Sequence, residues 1–181
     1  MKLLLHTCCG PCFLGVWEDP KLRDLEVTNF YFNPNIYPES EYQKRLENLR
    51  IAASGKTAGV VVGEYRPKDY DSAVSGYENA FPERCVYCYQ IRLEQAALYA
   101  KANGFDAFST TLLVSPYQQH ESLKALGEEI AKAIGIEFYY SDWRPYFRKG
   151  QDEARFIPIY RQKYCGCKHS LRERNLPAKD F

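Results

Sequence analysis

The sequence predicts an α/β fold in which a parallel, five-stranded, Rossmann-like sheet carries helices on both faces. Short apolar segments alternate with longer segments whose apolar residues recur at helical spacing. Such alternation is typical of a parallel sheet covered on both sides. The 181 residues fit a single domain over positions 1–181. The stretch after Tyr140 breaks the alternation, so we expect an irregular C-terminal extension packed on the same domain.

Five segments are predicted as strands, with the order 3-2-1-4-5 in the sheet. This order makes the first and fourth strands neighbours at the switch point, where open α/β sheets bind ligands. Three further segments have helical composition, and Ser122 is the expected N-cap of the last. The strands are Lys2–His6, Val27–Phe32, Gly59–Val62, Ala107–Thr110 and Ile136–Tyr140, and the helices are Ser40–Ala53, Cys85–Ala102 and Ser122–Ile134.

Seven cysteines fall into three tight clusters, in the sequences HTCCGPC, RCVYCY and YCGC. Thiols at such short spacings suit a metal site better than a set of disulfides. The odd count and the absence of a recognisable leader predict a protein of the cytoplasm, where thiols stay reduced. The alternative is a set of scattered, buried core thiols.

The number of thiols favours an iron–sulfur cluster over zinc. Seven thiolates exceed the need of one tetrahedral zinc ion. They suffice for a four-thiolate [4Fe–4S] cluster, and the remainder indicates an additional metal or redox-active thiols. The Cys85–Cys88 pair opens a predicted helix, which predicts a lowered pKa for these thiols. His6 is either a further ligand or a strand-end histidine bonded to the backbone.

Basic residues concentrate near the C-terminus although the net charge is only +1. Between Trp143 and Arg174, nine basic residues face three acidic ones, which gives +6 locally and −5 elsewhere. Aromatic residues interleave with them, which favours contact with the phosphates and bases of a nucleic acid over a merely solvated tail. No apolar run approaches the ~20 residues that span a bilayer, so we expect no membrane association.

Common nucleotide-binding signatures do not occur in this sequence. No G-x-G-x-x-G follows the first strand, and no Walker A sequence is found. The first turn also lacks the Ser-Gly-Gly-x-Asp-Ser sequence of ATP-pyrophosphatases, whose alternating layout would be shared. Cysteines stand where such a phosphate loop would lie.

Four ordered motifs, LLHTCCGPC, RCVYCYQIRL, FSTTLLVSPYQ and YRQKYCGCKHS, resemble the QueH family of epoxyqueuosine reductases from Leu3 to about Ser170. The resemblance implies a nucleotide-hydrolase-like fold and the reduction of epoxyqueuosine to queuosine at the wobble position of tRNAs with GUN anticodons. It also implies a [4Fe–4S] cluster, an additional iron ion, no cobalamin, and an external one-electron donor such as ferredoxin or flavodoxin.

The resemblance, the switch point of the sheet and the basic segment together predict roles for individual residues. Cys12 is expected to be structural, because a helix starting at Pro11 should carry it away from the other thiols. The expected metal ligands are Cys8, Cys9, Cys85, Cys88, Cys165 and Cys167. The catalytic candidates are Arg161, Gln162 and Tyr164, and the substrate-binding candidates are Thr110, Thr111, Ser115, Arg144, Arg148 and Arg161.

Two other functions remain open from the sequence. A zinc-stabilised RNA-binding module would use the same cysteines structurally and the same basic segment for binding. An iron–sulfur-dependent tRNA thiolation enzyme would carry sulfur on its cluster, although the missing pyrophosphatase loop argues against it. For Thr110 and Thr111, the alternative to substrate binding is ordinary capping of the turn that follows the strand.

Overall fold

The computed structural model describes residues 1–174, and positions 175–181 of the predicted domain lie outside the described residues. Within that range a five-stranded sheet has the order β3-β2-β1-β4-β5, and all its pairings are parallel. The predicted fold class and strand order are therefore confirmed. The strands are β1 (Lys2–His6), β2 (Glu26–Tyr31), β3 (Gly59–Val62), β4 (Ala107–Thr110) and β5 (Glu137–Phe138).

Helices cover both faces of the sheet. From β1 the chain adds β2 and β3 on one edge, and it then returns to add β4 and β5 on the other edge of β1. Because the crossovers are right-handed, the helices of the first half and those of the second half lie on opposite faces. None of the helices in residues 1–174 has the length and apolar character that crossing a membrane requires. The helices are α1 (Gly10–Trp17), α2 (Glu39–Ala53), α3 (Pro67–Ala73), α4 (Glu83–Ala102), α5 (His120–Ile134), α6 (Phe147–Phe156) and α7 (Lys168–Glu173).

The central strand β1 determines where the site forms. Its residues Leu3, Leu4 and Leu5 are fully buried, as expected for a strand with neighbours on both edges and helices on both faces. Its last residue, His6, pairs in register with Thr110 at the end of β4. The turn into α1 and the 3₁₀ turn after β4 therefore leave the sheet side by side.

Three local predictions were wrong. Helix α5 begins at His120, so Ser122 lies inside its first turn rather than at its N-cap. Strand β5 has two residues instead of five. The C-terminal extension is partly helical, because it contains α6 and α7. Its Trp143 is fully buried and its Nε1 donates to Asp19 Oδ2 at 2.9 Å, so this ring belongs to the core and cannot contact a base.

Helix α6 packs closely on α1 through two glycines. A Cβ atom on Gly150 would lie 2.3 Å from the nitrogen of Gly15 and 2.8 Å from the carbonyl oxygen of Pro11. Close packing also explains Gly10, because a Cβ there would lie 2.9 Å from the carbonyl oxygen of Asn48. Small residues thus bring α1 against both α2 and α6.

We expect Gly150→Ala to destabilise the protein. Overpacking against rigid backbone costs about 1–3 kcal/mol, whereas the gain in helix propensity is only about 1 kcal/mol. The melting temperature and the free energy of unfolding in urea would measure the effect. Arg148→Ala, an exposed position on the same helix, is the control and should leave both values nearly unchanged. Equal stability of the two variants would contradict this packing.

Candidate metal and substrate site

A cavity of about 650 Å³ opens beyond the carboxyl ends of β1 and β4. This volume is within the range of small-molecule sites. Residues from α1, α4, the 112–119 segment and the C-terminal extension line it together. Cys9 is buried with 1% exposure beside this wall. The cysteines that line the cavity are Cys8, Cys12, Cys85, Cys88, Cys165 and Cys167.

Three of the seven thiols form a first group around the turn that follows β1. The sulfur atoms of Cys8, Cys9 and Cys12 all lie within 4.8 Å of one another, and all three residues are buried. The expectation that α1 carries Cys12 away was wrong. The helix begins at Gly10, and its first turn brings the side chain of residue 12 back over residues 8 and 9. Cys12 is therefore a possible ligand.

The other four thiols form a second group between α4 and the loop before α7. Cys85 and Cys88 lie one helical turn apart on α4, and Cys88 packs against the cluster that Cys167 forms with Tyr70 and Val74. The sulfur atoms of Cys165 and Cys167 are 3.6 Å apart. Gly166 between them has a φ of 123°, a conformation that glycine adopts readily and that permits a tight bend here.

The pKa predicted for the α4 thiols was wrong. Burial raises the pKa of Cys85 to about 12, and burial also raises the pKa of Cys88. The helix begins two residues earlier than expected, at Glu83, and desolvation outweighs the helix dipole. In contrast, a hydrogen bond from Cys165 lowers the pKa of Cys167 to about 4, and hydrogen bonds from Cys12 and Cys9 lower that of Cys8.

A buried cation lies between the two thiol groups. Arg92 is 3% exposed, and its Nη2 donates to Asn33 Oδ1 at 2.7 Å. Its Nη1 lies 3.9 Å from Cys88 Sγ and its Nε 3.4 Å from His6 Nε2. Within residues 1–174 it makes no ion pair with a carboxylate. A buried guanidinium without a carboxylate partner favours negative charge at the thiols.

His6 supports the site from behind. Its Nδ1 lies 2.9 Å from Thr110 Oγ1 and its Nε2 3.1 Å from the carbonyl oxygen of Phe32. Burial, followed by the charge of Arg92, lowers the pKa of His6 to about 3, so the ring is neutral at physiological pH. Both ring nitrogens therefore have protein partners, as the backbone-bonded alternative predicted.

The three hydroxyl candidates occupy different positions. Thr111 is fully buried, and its Oγ1 accepts from the backbone N–H of Cys8 at 3.2 Å and donates toward Cys8 Sγ at 3.5 Å. Thr110 Oγ1 accepts from the backbone N–H of Leu112, which is the turn-capping role. Ser115, by contrast, lines the cavity. Thr111 thus contacts a thiol, while Ser115 faces the cavity.

The YRQKYCGC segment contributes one direct contact with the thiols. Gln162 Nε2 donates to Cys9 Sγ at 2.8 Å and lies 3.9 Å from Cys12 Sγ. Arg161 is exposed and lines the cavity. Tyr164 also lines it, but its hydroxyl donates to the carbonyl oxygen of Tyr37 and is thereby engaged.

The remaining two basic candidates lie apart from the cavity lining. Arg144 is exposed and pairs with Asp142, with Nη2 2.6 Å from Oδ2. Arg148 is exposed on α6. From this helix the described cavity lining includes Phe147, Gln151 and Arg155 instead.

Arg45 anchors the loop that carries Cys165 and Cys167. Its Nη1 and Nη2 donate to the carbonyl oxygens of Cys165 at 3.0 Å and Tyr164 at 3.1 Å. Its Nε bonds Glu41 Oε1 at 2.7 Å, and both side chains are buried. In the sequence this is an ordinary i,i+4 pair on a helix, so nothing marked it as part of a site.

The position of Arg92 near the thiols could have been inferred from its spacing in the sequence. It lies four residues after Cys88 and seven after Cys85, so all three project from one face of α4. Cys12 had the corresponding signal, because it lies one helical turn beyond the Cys8–Cys9 pair. Both signals become informative only when the helix boundaries are known.

Comparisons with known proteins identify the family of this chain. The family model for the epoxyqueuosine reductase QueH matches residues 3–173, which include all seven cysteines. The chain belongs to this family. It is 35% identical to the epoxyqueuosine reductase QueH of Dehalococcoides mccartyi, over 98% of both chains. It is also 35% identical to the same enzyme of Thermotoga maritima, over 95% of this chain and 91% of the relative. The family resemblance predicted from the four motifs is therefore confirmed.

We expect Arg45→Met to destabilise the protein by about 3–5 kcal/mol, because it leaves Glu41 buried and unpaired. Urea unfolding would measure this loss. The double variant Glu41→Gln/Arg45→Met removes the unpaired buried charge and should recover part of the lost stability. Arg50→Ala, an exposed arginine on the same helix, is the matched control. A single variant as stable as this control would contradict the anchoring role.

Proposed function

We propose that this enzyme reduces epoxyqueuosine to queuosine at the wobble position of tRNAs with GUN anticodons. The reaction converts a vicinal epoxide into a carbon–carbon double bond. It consumes two electrons and two protons and releases the oxygen as water. The observation that carries the proposal is the convergence of six cysteines from three distant segments at one cavity, with Cys9 buried beside Cys8 and Cys12, in a member of the epoxyqueuosine reductase family. We place the reaction in the cytoplasm, with an external one-electron donor such as ferredoxin or flavodoxin.

The thiols fit a [4Fe–4S] cluster and an additional iron ion. They are soft ligands, four of the seven are buried, and their number exceeds the four that one cluster needs. Arg92 supplies a buried positive charge that offsets an anionic thiolate site. When bound, the metals would supply electrons singly and polarise the C–O bond of the epoxide. The proposed ligands are Cys8, Cys9, Cys85, Cys88, Cys165 and Cys167, to which the geometry adds Cys12.

Side chains around the thiols would hold this site in shape. Gln162 donates to Cys9, and Thr111 bonds both the backbone and the sulfur of Cys8. Hydrogen bonds to a thiolate sulfur fix its orientation and lower its basicity. Arg161 and Ser115 line the open part of the cavity, where they can bind the ribose, the base or a phosphate of the nucleotide.

The charge of the cavity suits a polyanion. Among the described residues, its lining includes seven basic side chains and one carboxylate, Glu173. Glu173 is itself paired with Arg84 at 2.6 Å. This excess of positive charge supports binding of the phosphate backbone. The basic residues are Arg45, Arg84, Arg92, Arg155, Arg161, Lys163 and Arg174.

Anaerobic purification and reconstitution test the cofactor and the reaction together. We expect a broad visible absorption band, more iron than the acid-labile sulfide of a cluster accounts for, and loss of one oxygen from epoxyqueuosine in tRNA when a reductant is supplied. Mass spectrometry of the digested nucleosides would measure the conversion. Cys88→Ala and Cys167→Ala should lose both iron and turnover, whereas Ser75→Ala, an exposed position, should lose neither.

A colourless protein that keeps stoichiometric zinc after reconstitution, and that converts no epoxyqueuosine, would contradict this function. That result would favour the zinc-stabilised RNA-binding module. An ATP requirement together with sulfur transfer to tRNA would instead favour the thiolation enzyme.

We expect Arg161→Ala and Lys163→Ala to weaken tRNA binding and to lower its salt dependence by about one phosphate contact each. Filter binding over a salt series would measure both effects, and iron content should not change. Lys132→Ala, an exposed lysine on α5, is the control. Arg144→Ala/Arg148→Ala tests the sequence-based expectation that these two residues also bind tRNA. Wild-type affinity at low salt in either set would remove that set from the interface.

A further inference from the structure

Three aromatic residues at the mouth of the cavity form a surface that the proposed reaction does not itself require. We propose that Phe81, Tyr117 and Phe147, here called the aromatic ledge, stack against unpaired nucleobases beside the modified nucleotide of the tRNA. This inference rests on the proposed function. It adds a specific set of contacts, to the neighbouring bases of the anticodon loop.

Two of these three rings are largely exposed to solvent. Phe81 is 66% exposed and Tyr117 is 76% exposed, and both line the cavity. Phe147 is half-buried at the start of α6, and its ring meets that of Tyr117 edge-on with 5.7 Å between centroids. Large aromatic side chains left in water at the entrance of a site indicate a binding surface.

The backbone under the ledge is held in place by polar contacts. Gln119 Nε2 donates to the carbonyl oxygen of Pro82 at 2.9 Å, which links the segment of Tyr117 to the residue after Phe81. The hydroxyl of Tyr89 donates to Gln118 Oε1 at 2.8 Å and accepts from the backbone N–H of Gln119 at 3.3 Å. The rings are therefore presented from ordered segments, which lowers the entropy that binding would cost.

Charge complementarity identifies the occupant as single-stranded nucleic acid. The cavity lining combines these rings with Arg155, Arg161 and Lys163, and the guanidinium of Arg84 lies 5.5 Å from the centroid of Phe81. Bases stacked on aromatic rings, with phosphates held by neighbouring cations, are the common mode of binding unpaired strands. An acidic electron-donor protein would use the cations but would leave flat aromatic faces without a specific partner.

The geometry also explains how one base could enter the cavity. Enzymes that act on a nucleobase need it unstacked, and unstacking leaves the adjacent bases with exposed faces. A ledge at the mouth would cover those faces while the modified base lies inside. The ledge would thus offset part of the cost of splaying the anticodon loop.

The test uses the full chain and a short RNA hairpin with the anticodon stem-loop sequence of a GUN tRNA. Fluorescence anisotropy would compare the wild-type protein with Phe81→Ala and Tyr117→Ala. Loss of one stacked base should weaken binding by about 5- to 150-fold. Tyr117→Phe keeps the ring and should bind like the wild type. Phe156→Ala is the matched control, because this ring is 90% exposed on α6 and is not among the residues that line the cavity in the described chain.

A second hairpin, with an abasic nucleotide next to the wobble position, identifies the contact. If Tyr117 or Phe81 stacks on that base, its alanine variant and the abasic change should not be additive. Full additivity for abasic changes on both sides of the wobble position would overturn the proposal. Wild-type affinity of both alanine variants for the hairpin would also overturn it. The same holds for variants that bind the hairpin normally and lose activity only when a protein supplies the electrons. Because both side chains are exposed, melting temperatures should stay unchanged and confirm folding.

The same measurements distinguish a failure of the aromatic ledge from a failure of the proposed function. A wild-type protein that converts epoxyqueuosine in tRNA and binds the hairpin, with alanine variants that bind equally well, would overturn the ledge alone. A wild-type protein that neither binds the hairpin nor converts the nucleoside would overturn both.

Discussion

The parallel pairing of β1 with β4 is the constraint on which the site depends. Because His6 lies beside Thr110 in register, the turn that holds Cys8 and Cys9 emerges next to the turn that holds Thr111. The backbone N–H of Cys8 then bonds Thr111, which fixes the start of the first thiol group. In a sheet that did not pair β1 with β4, the turn that holds Cys8 and Cys9 would have no neighbouring turn to form the other side of the site.

The second constraint is the burial of positive charge. Arg45 and Arg92 are 2% and 3% exposed, and burying a guanidinium is costly unless an anion compensates it. Arg45 has Glu41, and it uses its remaining donors to hold the Cys165 loop. Arg92 instead contacts the neutral side chains of His6 and Asn33 and the sulfur of Cys88. The buried charge of Arg92 therefore favours negative charge at the thiols, in agreement with the iron–sulfur site that we propose.

Much of the fold was predictable because it depends on local pattern. Alternating apolar segments gave the strands, and the crossover rules gave their order. The errors lie where tertiary contacts override the pattern. Helix α6 follows Trp143, whose burial depends on Asp19, more than a hundred residues earlier in the chain. The first turn of α5 is likewise set by its surroundings, so a good capping residue such as Ser122 ended up inside the helix.

The sequence by itself determined that this chain has seven clustered cysteines, a basic C-terminal segment and the motifs of one enzyme family. The tertiary structure decided how those parts meet. It brought Cys12 back toward Cys8 and Cys9, and it raised the pKa of Cys85 by burial. The physical reason is that residue types and short spacings are written in the chain. Burial, ion-pair partners and the walls of a cavity arise only when distant segments pack together.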